Sequence, residues 1–285
     1  MNESSWSAPI AVPHNSDYLR DGFITSSKAL SAIEAERYLI ASNRLVDHLG
    51  GCPAAIRLTQ LHRHFGWADE LTRLPRVLEH VSDILGPNIA VWATSLFVKY
   101  PHDPAYVGWH QDGRFWGMLS DEVASAWIAL TPSTSRNGCL RVVPGSHARG
   151  ILPHSEGSEN NILSRSQELV TDVDEGTVYD LELAPGDFSI HHVNLVHGSR
   201  PNPTDAKRVG FIIRYISPRV RQYNARPMVT VVKGDSNTFR HVSVVDPCDN
   251  SDMVSVIEEF EVTARDFLAD VRASADALDR AQTRS

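Results

Sequence analysis

Beyond residue 88 the apolar positions gather in short runs, at 89–98, 126–130, 140–143, 187–190, 209–216 and 229–232, parted by segments with turn chemistry. Short β-forming runs at this spacing predict an all-β barrel or a double-sheet jelly roll. Upstream the period is helical. Ser31-Ala-Ile-Glu34 is a capping box, so a helix should start there and stop at Gly50-Gly51. Pro75 opens a second helix with the stripe Val77, Leu78, Val81, Ile84 and Leu85, and Gly86-Pro87 closes it. Both are expected to buttress the sheet. Near the other end, Ile257, Phe260, Ala264, Phe267, Val271 and Leu278 recur at helical spacing, which predicts a helix over 253–280 with one buried face. That face should pack on the chain's own sheet, with a dimer contact as the alternative. The fold expected is mainly β with flanking helices.

Two stretches stand outside this pattern. Residues 1–20 are polar and carry Pro9 and Pro13, which reads as a loosely held arm. Residues 153–180 are rich in Ser, Glu, Asn and Asp and poor in large apolar side chains, as expected of a long surface insertion near the mouth of a site, and so of a lid. At 285 residues the chain suits one undivided domain spanning 1–285. Its 27 basic and 35 acidic residues leave a net charge of −8 without a basic block. This argues against nucleic acid or a membrane surface as partner and favours a small-molecule substrate. Cys52, Cys139 and Cys248 lack metal-ligand spacing and suit a reducing compartment. With no basic-apolar leader, no run of 18 apolar residues and no Ser-Lys-Leu ending, the expected location is cytoplasmic. Monomer and homodimer both stay open.

The candidate chemistry lies in Gly108-Trp109-His110-Gln111-Asp112-Gly113. In extended chain, residues two apart leave the same face, so His110 and Asp112 should project together while Gln111 points away. A second His would complete a 2-His-1-carboxylate facial triad, which leaves open positions on a non-haem Fe(II) for a chelating cosubstrate and O2. Further on, His197-Gly-Ser199 is followed by Arg208, eleven residues after His197, across the turn-rich Arg200-Pro-Asn-Pro-Thr-Asp-Ala-Lys207. A hairpin-like connection there can return Arg208 alongside His197 in the neighbouring strand. A histidine ligand beside a guanidinium suits 2-oxoglutarate. That molecule chelates iron through its 1-carboxylate and keto oxygens and offers its distal carboxylate to a bidentate Arg fork. Ser199 is placed to add a hydroxyl donor.

These motifs, with Asn137-Gly-Cys-Leu-Arg-Val-Val-Pro-Gly-Ser-His147, resemble the phytanoyl-CoA dioxygenase family of Fe(II)/2-oxoglutarate oxygenases over roughly residues 17–215. The resemblance implies a double-stranded β-helix, a cupin-like jelly roll. It implies His110, Asp112 and His197 as metal ligands and Arg208 as the distal-carboxylate partner, with Gln111, Trp127, Ser199 and Ser95 in the cosubstrate pocket. It further implies Fe(II), 2-oxoglutarate and O2, used to hydroxylate an aliphatic C–H of a metabolite with release of succinate and CO2. Two positions bear on this. The lysine with which the family often touches the cosubstrate is missing from Arg57-Leu-Thr-Gln-Leu-His62. Asp112 fills the place that halogenating relatives leave to a small residue, so hydroxylation is expected over halogenation. An acyl-CoA substrate is not implied, because no basic cluster awaits its phosphates.

Each feature also has a plainer reading. His197 alone would pass for a core histidine, and Arg208 for a surface ion-pair partner. His191 and His192 share the stretch without the pattern and read as structural, His192 being a runner-up near the site. Trp109, Phe115, Trp116 and Trp127 are of a type more often found in a core than a pocket, though the first three adjoin the ligands and serve either equally well. The run from Asn137 to His147 should turn and brace the sheet. Arg114, Trp116, Arg214 and Tyr223 are the substrate-facing candidates, since they follow the ligand pair or lie in the run after Arg208. Two further classes compete: an inert jelly-roll metabolite-binding protein, and a Zn(II) hydrolase using the same three ligands. Neither accounts for Arg208 with Ser199.

Overall fold

The computed structural model describes residues 15–26, 28–51, 58–157, 160–163, 167–247 and 253–282, so most of the expected arm, Arg57, Cys52 and Cys248 lie outside the described residues. The end of the expected arm is a helix, α1 (Asn15–Asp21), which leads into strand β1 (Phe23–Ser26). Tyr18 is buried and anchors it. Helix α2 (Ala32–His48) begins at the capping box: Glu34 N donates to Ser31 Oγ at 3.2 Å, and Ser31 N donates to the Glu34 carboxylate at 2.7 Å. Helix α3 (Gly66–Thr72) is too short and uncapped to show in the pattern. Helix α4 (Pro75–Leu85) has its proline in the first turn and buries Val77, Leu78, Val81 and Leu85.

The strands follow as β2 (Ile89–Lys99), β3 (Val107–His110), β4 (Val123–Ala129), β5 (Leu140–Val142), β6 (His154–Glu156), β7 (Gln167–Leu169), β8 (Tyr179–Leu181), β9 (Phe188–His192), β10 (His197–Ser199), β11 (Arg208–Ile216), β12 (Met228–Lys233) and β13 (Ser243–Val244). A seven-stranded sheet runs β1-β9-β4-β11-β2-β12-β13, and a four-stranded sheet runs β3-β10-β5-β8. This is a jelly roll with flanking helices. The stretch 153–180 is more built than its composition suggests. Strands β6 and β7 pair as a separate ribbon, and β8 joins β5 through the buried Leu181.

Alternation along the central strands explains how one sheet serves both core and site. On β11, Val209, Phe211, Ile213 and Tyr215 enter the main apolar core, as do Ala124, Ala126 and Ile128 of β4 and Phe188 and Ile190 of β9. The intervening residues leave the opposite face. They are Arg208, Gly210, Ile212 and Arg214 on β11, Ser125 and Trp127 on β4, and Ser189 and His191 on β9. Helices α2, α3 and α4 cover the apolar face, and the polar face looks inward. The last helix, α5 (Met253–Gln282), packs on its own fold: the Phe260 ring lies 5.3 Å from that of Phe65, and the Phe267 ring 5.2 Å from that of Trp92. Among the described residues no helix is long and apolar enough to cross a membrane.

Candidate metal centre and cosubstrate pocket

His110 ends β3 and His197 begins β10, and the two residues are directly paired across that antiparallel ladder. Asp112 lies beyond the strand, in a 3-10 turn over Asp112–Arg114, yet Gln111 stays extended (φ −122°, ψ 124°), so the two-residue alternation persists. The three residues are buried, and their ligand atoms all lie within 4.8 Å of one another. In each histidine a backbone carbonyl two residues back fixes the ring. His110 Nδ1 lies 2.9 Å from Gly108 O, and His197 Nδ1 lies 2.9 Å from Leu195 O. This leaves both Nε2 atoms free as donors to a metal, the arrangement that orients ligating histidines.

The Asp112 carboxylate completes the set. One oxygen lies 3.6 Å from His110 Nε2, and the Ser125 hydroxyl is 3.5 Å from the other. Burial alone would raise the Asp112 carboxyl, but the imidazole of His110 at 3.6 Å and the nearby His197 and Arg214 outweigh it and hold it well below the usual carboxylate range. Burial, and then His110, push His197 well below its ordinary value. The aspartate is therefore charged and His197 neutral near neutral pH, the states in which they ligate metals. A two-histidine, one-carboxylate donor set fits Fe(II).

A second subsite lies along β11. Arg208 is buried, donates from one guanidinium nitrogen to Gly138 O at 2.8 Å, and stands 5.4 Å over the Trp127 ring. Its Nε and the hydroxyl of Ser199 are both buried without a hydrogen-bond partner. Glycine is required at two neighbouring points. A Cβ on Gly210 would stand 2.0 Å from the Trp127 ring, and one on Gly138 (φ 76°) would meet Arg200 O at 2.3 Å. Burial pushes the Arg208 guanidinium down to about 10, which marks a dry site.

Lys99, which the sequence does not single out, pairs with Arg208 across β2 and β11. Its Nζ donates to the carbonyls of Ala105 (3.3 Å), Ser199 (3.4 Å) and Arg200. Burial and then Arg208 push it down to about 7. His191, read as structural from the sequence, lies with its ring 5.0 Å from that of His197, on the same inner face as Ser125.

A cavity of about 120 Å3 opens onto the His110 and Asp112 side of the centre. Phe115, Trp116 and Arg214 form part of its wall, Phe267 and Val271 of α5 close it, and Ser95, expected beside Arg208 and Ser199 in the cosubstrate pocket, lines this cavity, which neither of those two lines. Arg214 donates to Ser95 Oγ at 3.0 Å and stacks 5.1 Å from the Trp116 ring. Three expected site residues go elsewhere. Gln111 spends its amide on backbone groups, donating to Gly150 O and Asn194 O and accepting from Leu152 N, so it braces loops. Arg114 forks onto Asp279 of α5 at 2.7 and 2.9 Å and is no part of the cavity wall. Tyr223 is also absent from that wall, and its backbone is tied to Gly117 and Ser274. Of the aromatic candidates beside the ligands, Trp109 lies under the Arg141 guanidinium, outside the cavity wall. The 137–147 segment braces as expected, with Val196 N donating to Ser146 Oγ.

Comparison with known proteins agrees with this geometry. The profile of the phytanoyl-CoA dioxygenase (PhyH) family matches residues 18–210. A protein of Stutzerimonas stutzeri named "Probable alpha-ketoglutarate-dependent hypophosphite dioxygenase" is 30% identical over 164 residues, covering 56% of each chain. The chain thus spans about half the length of the curated relatives it matches. Among solved structures, the apo form of the non-heme monooxygenase ThoJ superposes with a TM-score of 0.77 at 30% identity, covering 90% of this chain and 97% of that one. CytC3 with Fe(II) and alpha-ketoglutarate shares the fold, with a TM-score of 0.62 at 22% identity over 83% of this chain and 93% of that one. A profile match over most of the chain, closed around a buried His-Asp-His set, shows that the chain belongs to the phytanoyl-CoA dioxygenase family, whose members use Fe(II) and 2-oxoglutarate.

Proposed function

We propose that the protein is an Fe(II)- and 2-oxoglutarate-dependent oxygenase that hydroxylates an aliphatic C–H of a small metabolite, releasing succinate and CO2. One observation carries the reading. Beside the three ligands, Arg208 Nε and Ser199 Oγ are buried donors without partners. Such groups are costly to leave unpaired, and a carboxylate is the acceptor that pairs with both. A zinc hydrolase has no use for this second subsite, and an inert binding module has none for the triad.

Each residue then has a task. His110, Asp112 and His197 would hold the metal, and the Ser125 hydroxyl keeps the Asp112 carboxylate turned toward it. Bound Fe(II) supplies the activation of O2 and the oxidising power. Arg208, braced by Gly138 and Trp127, holds the distal carboxylate of 2-oxoglutarate and so aims its keto-acid end at the metal. Phe115, Trp116 and Phe267 keep water from the reacting C–H bond. The carboxylate of Asp112 supports hydroxylation, because it occupies the position through which a halide would enter. The test is anaerobic addition of Fe(II) and 2-oxoglutarate. An oxygenase shows the weak visible metal-to-ligand charge-transfer band, and a zinc enzyme or inert module shows none. Screening metabolites for stimulated succinate release then identifies the substrate.

A further inference from the structure

We infer that Arg214 is an oxyanion subsite for the substrate, so that the compound oxidised carries a carboxylate or phosphoryl-type group at one end and an apolar carbon skeleton at the other. That the occupant is a substrate rests on the oxygenase reading. The subsite itself can be tested without turnover.

The first part of the argument is position. Arg214 and Arg208 leave the same inner face of β11 six residues apart, which sets their Cα atoms roughly 20 Å from each other. Arg208 pairs with Lys99 and stacks on Trp127, whereas Arg214 pairs with Ser125, whose hydroxyl reaches Asp112. Arg214, His110 and Asp112 share one cavity wall, to which neither Arg208 nor Ser199 contributes. The two guanidinium groups therefore serve different occupants: Arg208 the distal carboxylate of the cosubstrate, Arg214 whatever fills the cavity on the far side of the metal ligands.

The second part is charge. Arg214 is held in place by Ser95 and Trp116, and neither neutralises it. Its Nε is buried without a hydrogen-bond partner, and among the described residues no carboxylate forms a salt bridge with it. Asp112 acts on it only through space, and that carboxylate is committed to the metal. A desolvated cation with a spare donor, fixed in a cavity wall, is a deficit that an oxyanion fills. The facing surface is different in kind. Phe267, Leu268 and Val271 of α5, with Ile162 and Leu163 from the insertion, are apolar and suit a hydrocarbon body, Arg272 being the one charged residue of α5 that also lines this wall. An anion gripped by Arg214 would lay that body across His110 and Asp112, where the C–H bond has to be.

The experiment uses the full chain with Fe(II) and saturating 2-oxoglutarate under anaerobic conditions. Linear C4 to C8 carboxylates, the matching alkylphosphonates and the matching primary amides are titrated by calorimetry into wild type, Arg214→Gln and Arg214→Lys. At least one acid should bind wild type roughly ten- to a hundredfold more tightly than its amide, the range of a charge-assisted hydrogen bond. Arg214→Gln should abolish the preference and Arg214→Lys should keep part of it. The better of the carboxylate and phosphonate series names the oxyanion. The affinity for 2-oxoglutarate, read from the charge-transfer band, should be the same in all three proteins. The inference is overturned if no acid outbinds its amide or if Arg214→Gln retains the preference. It is overturned too if Arg214→Gln weakens the 2-oxoglutarate titration, since Arg214 then holds the cosubstrate. Should Arg214→Gln fail to fold, wild type and Arg214→Lys decide by the same acid-to-amide ratio. A wild type without the band but with the acid preference would sink the oxygenase reading and leave the subsite standing.

Discussion

Gly210 lies so close to Trp127 that an added Cβ would stand 2.0 Å from the indole ring, and the same ring carries Arg208 on its face. Gly210→Ala should therefore displace Trp127 and, with it, the guanidinium. Overpacking of this kind costs about 1–3 kcal/mol of stability. The midpoint of urea unfolding should fall accordingly, and the 2-oxoglutarate titration should weaken while iron binding holds. An unchanged titration would show that Trp127 yields without moving Arg208.

Arg208 itself should govern cosubstrate affinity. Removing one side of a buried charge pair costs roughly 3–5 kcal/mol, so Arg208→Ala should weaken 2-oxoglutarate binding more than a hundredfold. Arg208→Lys should recover only part, because an ammonium lacks the planar fork. Titrating 2-oxoglutarate by its charge-transfer band, beside a separate iron titration, distinguishes this from damage to the strand that carries His197.

The ligands should behave as a unit. His110→Ala, Asp112→Ala and His197→Ala are each expected to abolish substrate-coupled succinate release and weaken iron binding while the circular dichroism of the fold persists. Asp112→Gly should open a coordination position and still fail to hydroxylate. Normal hydroxylation by that variant would remove Asp112 from the ligand set.

The parts of this site that are legible in the sequence are those carried by short-range geometry. His110 and Asp112 share a face because Gln111 is extended, and this survives the end of the strand at His110. The hairpin that the turn-rich 200–207 connection predicts does not form, because β10 and β11 belong to different sheets; the link between the two runs is Lys99, which pairs with Arg208 and donates to Ser199 O. What depends on distant partners is not legible. Nothing local says that Arg114 will be claimed by Asp279, 165 residues on, or that three backbone groups will saturate Gln111. Lys99 ends an apolar strand, where a lysine ordinarily reaches solvent, and its burial becomes visible only when Ala105, Ser199 and Arg200 close around it. His191 is hidden for a related reason: the alternation that sends it inward with Ser189 is masked by the neighbouring His192.

The insertion should act as a lid. Ile162 and Leu163 line the cavity, and the segment is latched to β3 through Tyr106, whose hydroxyl donates to Glu168 at 2.5 Å. The insertion's sequence is otherwise poor in large apolar side chains, so its cleavage by protease should slow when Fe(II), 2-oxoglutarate and substrate are bound. Tyr106→Phe, which removes this hydroxyl bond and leaves the backbone bonds of Tyr106 to Asn160 and Ile162, should speed cleavage. Equal rates with and without ligands would reduce this stretch to a static wall.

Lys99 should make stability depend on pH in a defined direction. Burial pushes it from 10.5 down to about 7 in the folded protein, whereas the unfolded chain keeps the ordinary value. Between these limits the unfolded state binds one more proton, so unfolding free energy rises with pH, by about 1.4 kcal/mol per unit at most. The stabilisation is complete above 10.5 and is lost as pH falls to about 7. Cys139 acts in the opposite sense, since burial pushes its thiol from 9.0 up to about 12 and stability is lost once the unfolded thiolate forms. The window to use is therefore pH 7.5 to 9.0, where Lys99 should contribute a rise of about 2 kcal/mol. Lys99→Met lacks the titrating amine, so its unfolding midpoint in urea should stay nearly level across the window while wild type climbs. A level wild type would mean that the three carbonyl oxygens around Nζ hold Lys99 as an ammonium against its burial, leaving a permanent positive charge behind Ser199 and Arg208.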